Sequence, residues 1–135
     1  MRKSGHIYVE IYGHNIHLVW DCKVAEYRRF AKSKGIIDSM AEDSNGRCLS
    51  GESATIIWIQ KWEEETYDMA TLSHECIHAA VMILRDRGID PMACKEEPLA
   101  YLQGWIFQKC MDLILGYEKK QNRLNGSKRR VSKPA

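Results

Sequence analysis

The stretch TLSHECIHAA, residues 71–80, puts two histidines four positions apart with a glutamate directly after the first. On an α-helix, positions four apart return to within about 40° of the same direction, so His74 and His78 project side by side from consecutive turns. Two imidazoles so placed can grip one metal ion. Glu75, about a quarter turn away, can reach a water on that ion without being a ligand itself. The surrounding residues suit the helix this requires. Leu72, Ile77, Val81 and Leu84 mark a core-facing side, Asp68 or Thr71 can serve as N-cap, and Gly88 follows basic residues in the last turn, which predicts a helix over residues 69–87.

The segment before this helix has the strongest strand signal in the chain. TIIWIQKW, residues 55–62, is β-branched and aromatic in a run too short and too continuous for a surface helix. Near the start, HIYVEIYGHNIHLVW has aromatic and β-branched residues on both sides of Gly13, His14 and Asn15, which predicts a hairpin with its turn there. KVAEYRRFAKSKG spaces Val24, Tyr27 and Phe30 by three and ends on Gly35, the pattern of a short helix. DSMAEDSNGRCLSGES is rich in turn residues and predicts a loop, with room for a short strand around residues 47–49. A second helix is expected from Glu97 to Tyr117, with Pro98 in its first turn and Leu99, Leu102, Ile106, Cys110 and Leu113 along one stripe.

Length and charge narrow the function classes. At 135 residues the chain suits one domain, expected over residues 1–118, with a basic, disordered tail over 119–135. Residues 119–135 hold seven Lys or Arg and no acid, leaving 13 basic against 18 acidic residues before them. No apolar run approaches the roughly 18 residues that span a bilayer, and no apolar stretch follows the basic start as in a secretory signal, so no membrane association and a cytoplasmic location are expected. Five scattered cysteines without a C-x-x-C pair indicate neither a disulfide framework nor a thiolate zinc ribbon.

A catalytic zinc takes three protein ligands and leaves a fourth place for water. Eighteen residues separate His78 from Glu97, and Gly88 and Pro91 between them let the second helix fold back and bring Glu97 toward the histidines. HECIH, eighteen residues, then EPLAY resembles the gluzincin metallopeptidases, the thermolysin-like group, whose pattern is H-E-x-x-H followed by a glutamate from a second helix. The resemblance covers about residues 55–115 and implies His74, His78 and Glu97 as ligands of Zn2+ and Glu75 as catalytic base. In overall pattern the chain is also similar to small metallopeptidase-like proteins encoded by bacteriophages. It departs from the larger gluzincins in having no second domain and no evident downstream histidine to stabilise an oxyanion. Where family members often carry an aspartate four residues after the ligand glutamate, it has Tyr101, a phenol that can hydrogen-bond near the ion, polarise a substrate carbonyl, or pack in the core. Glu96 competes with Glu97; about 100° separates them on a helix, so only one of the two should face the ion, and the family spacing favours Glu97.

The remaining candidates have simpler expectations. His6, His14 and His17 read as exposed strand and turn histidines. Cys76 points about 160° away from His78 and reads as packing, and Cys94 is not expected to act as an alternative thiolate near the site. The expected fold is α+β, a minimal zincin-like fold with a small, mainly antiparallel sheet packed on the motif helix and the ligand-bearing helix. The expected function is zinc-dependent hydrolysis of peptide bonds in a peptide or protein substrate, with TIIWIQKW holding the substrate backbone. Two alternatives stand beside it. One is a non-catalytic zincin-fold domain in which structural zinc supports protein binding. The other is weak nucleic-acid contact through residues 119–135.

Overall fold

The computed structural model describes residues 2–39, 44–52, 54–93 and 96–131, with side chains described as far as residue 127. Strand β1, Lys3–Val9, and strand β2, His14–Trp20, form the expected antiparallel hairpin. Its turn lies earlier than expected. A single 3-10 turn over Glu10–Tyr12 leads into Gly13 at φ 59°, the left-handed region a glycine enters without steric cost. His14 and Asn15 are consequently strand residues. Helix α1, Val24–Ser33, follows, and then strands β3, Gly46–Ser50, and β4, Ala54–Ile59.

The four strands lie in the order β1-β2-β4-β3, with β2 and β4 parallel and the two outer pairings antiparallel. With three helices, this is an α+β fold with a mainly antiparallel sheet, as expected. Residues of β4 are buried on both sides of the sheet. Ile57 and Ile59 join Ile16, Leu18 and Trp20 against the two long helices, while Ile56 and Trp58 join Val19 against α1, where Tyr27 stacks on Trp58 at 4.5 Å. Burial on both faces explains why TIIWI is a continuous apolar run rather than an alternating one.

Helix α2, Thr66–Asp86, carries HECIH and begins three residues earlier than expected. Asp68 does not cap it from outside. From within the first turn, its carboxylate accepts hydrogen bonds from the backbone N–H groups of Glu63 at 2.8 Å and Glu65 at 3.1 Å, so Glu65 takes the cap position. Helix α3, Glu97–Val131, packs against α2 in the opposite direction: Gln103 meets Ser73, and Tyr117 reaches the approach to α2 beside Trp62 and Glu64. It buries Leu102, Ile106, Cys110 and Ile114, a stripe close to the expected one.

The expected end of this helix at Tyr117 is not observed; it runs on to Val131, so residues 119–131 are helical rather than a disordered tail. A helix already nucleated by packed turns extends at the low cost of propagation, and the extension has no proline before residue 134. Among the described residues no helix is long and apolar enough to cross a membrane.

Candidate metal centre

Helix α2 positions the site. Its core side, Leu72, Cys76, Ala79, Ala80, Ile83 and Leu84, is fully buried, which fixes the rotation of the helix about its own axis. That rotation leaves His74 and His78 exposed on one side, with their rings edge to face at a centroid separation of 4.8 Å. Their Nε2 atoms stand 3.2 Å apart in a hydrogen bond, one ring donating N–H to the other. Two nitrogens each about 2.0–2.1 Å from one tetrahedral ion would stand about 3.3–3.4 Å apart. The two rings thus hold nearly the separation that sharing an ion requires.

Glu75 lies under the sheet edge and is 6 % exposed. Burial raises its carboxyl above the ordinary carboxylate range, opposed in turn by the nearby His74, His78 and Arg47. Strand β3 is what covers it. At Gly46, a β-carbon would fall 2.8 Å from Thr71 Cγ2 and 3.2 Å from Glu75 Cγ, so the bare backbone of β3 lies directly on α2 at this point. Arg47, the next residue, turns to the far face and pairs with the buried Asp38, which also accepts a hydrogen bond from Tyr27 at 2.7 Å. The sequence marks residue 46 as a turn residue and residues 47–49 as a short strand, but not their contact with α2, because that comes from a sheet edge meeting a helix.

The other expected members are placed as follows. Glu97 opens α3 and is exposed. Counted from the contact of Ser73 with Gln103, where Gln103 Nε2 donates to Ser73 Oγ at 3.1 Å, His78 lies about 7.5 Å further along α2 and Glu97 about 9 Å further along α3 in the same direction. The carboxylate therefore starts at the height of the second imidazole. It is not gathered with the pair: among the described residues, no three His, Cys, Asp or Glu side chains form a group able to hold one ion. Glu96 is also exposed, and its φ of 64° marks the bend that admits the chain to α3. Tyr101 lies elsewhere. It is 77 % exposed and lines a groove of about 1150 Å³ between β1 and α3, with Tyr8, Trp105 and Lys109, and no residue of α2 lines that groove.

TIIWIQKW does not offer a free strand edge. Within it, β4 is hydrogen-bonded to β2 on one side and β3 on the other, so both of its ladders are filled. Among the described strands, the open edge nearest Glu75 belongs to β3.

The three other histidines divide. His6 stacks on His17 at 5.0 Å and pairs with Asn15 at 2.8 Å on the exposed side of the hairpin. His14, expected to be exposed, is 2 % exposed, and its Nε2 shares a hydrogen bond of 2.7 Å with Thr55 Oγ1, which is 2.6 Å from Ser50 Oγ. It points inward because the turn ends at Gly13 and puts His14 in register with Ile16 and Leu18. Cys76 is fully buried, as its direction on the helix predicts, and Cys94 lies outside the described residues. In comparisons with known proteins, no family profile matches this chain, and neither does a curated protein or a solved structure.

Proposed function

We propose that this chain is a zinc-dependent peptide-bond hydrolase whose ion is held by His74 and His78, with Glu97 as third ligand. The observation that carries the reading is the 3.2 Å separation of the two Nε2 atoms beside a buried carboxyl group one residue along. A zinc ion bound there supplies the Lewis acidity that brings a water's pKa down to about 7 and polarises a carbonyl. The chain's own part in the reaction falls to Glu75. Its carboxylate takes the proton of the attacking water and delivers it to the departing amine nitrogen; burial raises its basicity and so improves it as an acceptor. The open edge of β3 gives an extended substrate backbone a ladder to pair with alongside Glu75.

The test is cleavage of an unfolded protein by zinc-loaded chain. Glu75→Gln should retain the metal and lose roughly 10²- to 10⁴-fold in rate. An undiminished rate in that variant contradicts the mechanism.

A further inference from the structure

We infer that the helical extension of α3 beyond Glu118 is a binding site for the phosphate backbone of double-stranded nucleic acid. Among the residues of α3 whose side chains are described, the last buried in the body is Ile114, Tyr117 is half-buried, and residues 122–127 are all exposed. From residue 119 to Val131 the helix is about 20 Å long. It carries Lys119, Lys120, Arg123, Lys128, Arg129 and Arg130 and no acidic residue. Positions 119, 123 and 130 fall within about 40° of one another around the axis, with position 120 about 60° beyond. Like charges four apart on a helix repel, and here no acidic residue offsets them. Among the described residues, no ion pair involves Lys119, Lys120 or Arg123.

The uncharged residues of the extension choose among polyanions. A helix that lies on an anionic membrane needs an apolar face. This one has two apolar side chains of any size, Leu124 and Val131, among Gln121, Asn122, Asn125 and Ser127, whose short polar groups suit hydrogen bonds to phosphate oxygens. No aromatic residue is present for stacking on unpaired bases, which favours a duplex over a single strand. At its base the extension meets an excess of negative charge: Glu118, Glu63 and Glu64 line one small hollow with Tyr117 and Gln121, offset by Lys3 alone. Phosphates are thereby confined to the turns beyond Glu118 and kept off the acidic body.

The experiment uses the full chain and a variant carrying Lys119→Gln, Lys120→Gln, Arg123→Gln, Lys128→Gln, Arg129→Gln and Arg130→Gln; glutamine keeps helix propensity while removing charge. Circular dichroism checks that both have the same helix content. Fluorescence anisotropy then follows two labelled DNA duplexes of unrelated sequence. The parent should bind both duplexes equally, with affinity falling roughly 10²- to 10³-fold between about 50 and 200 mM salt as four to six phosphates exchange their counterions, and the variant should lose the binding. A parent that binds neither duplex, duplex binding that ignores salt, or binding the variant retains would each overturn the inference. So would tighter binding to phosphatidylserine vesicles than to duplex, or self-association through the extension in place of duplex binding.

Discussion

At the scale of single residues, the two sides of the sheet treat histidine differently. His14 is sealed on the helix side and stays there through its bond to Thr55. His17, on the α1 side, stacks against His6, meets the edge of Phe30 at 5.9 Å, and lies near the positive end of Lys34, which sits over the Phe30 ring. Burial first, then Lys34 and His6, lower its pKa to about 4. The unfolded chain therefore takes up the proton first as pH falls. The stability His17 contributes is complete above its ordinary value near 6.5 and is lost between there and about 4. His17→Gln should accordingly flatten the decline of melting temperature over that window; parallel declines in parent and variant would show that burial does not govern this group.

The pairing of His74 with His78 was legible in the sequence because it is local: four residues on one helix fix it. The burial of His14 was not, since it depends on where a turn ends.

At the scale of elements, the contact between β3 and α2 decides whether Glu75 is buried. It rests on Gly46, whose neighbours on the helix side are Thr71 and Glu75 and which has the carbonyl of Trp58 at its back. A methyl group there has no flexible end to push aside on the backbone side. Gly46→Ala should cost roughly 1–3 kcal/mol of stability, read from urea unfolding, and should expose Glu75 to solvent. A variant as stable as the parent would mean that β3 lies farther from α2 than described. Gly5 is a contrast, because its crowding neighbour is the mobile tip of Leu113.

Hydrophobic patterning gave the strands and both long helices, since burial of one stripe or of both faces writes itself into the residue order. It did not give strand order. TIIWI announces burial on both faces, but its pairing with β2 spans 39 residues, and with β2 on one side and β3 on the other it has no free edge for the substrate-holding role expected of it. The length of α3 was hidden for a different reason. Apolar periodicity ends where packing ends, whereas the helix continues on backbone propagation alone.

At the scale of the whole molecule, α3 packs against α2, and the proposed third ligand depends on where α3 begins. The connection between them sets the distance from Glu97 to the imidazoles, and a turn of that length leaves no periodic signal to read. The height match of Glu97 with His78 leaves their remaining separation across the helix pair rather than along it. Glu97→Gln should lower zinc affinity by roughly 10- to 100-fold or more, while Glu96→Gln leaves it nearly unchanged. The reverse order would assign the third ligand to Glu96. Both can be measured by zinc titration against a competing chromophoric chelator.

That same titration, applied to the histidines, tests the shared ion directly. The parent should take up one equivalent of zinc, His74→Ala and His78→Ala should each lose it, and Glu75→Gln should keep it, because the two imidazoles stand at ligand spacing. A parent that takes up no zinc, or alanine variants that take it up as tightly as the parent, would contradict the account.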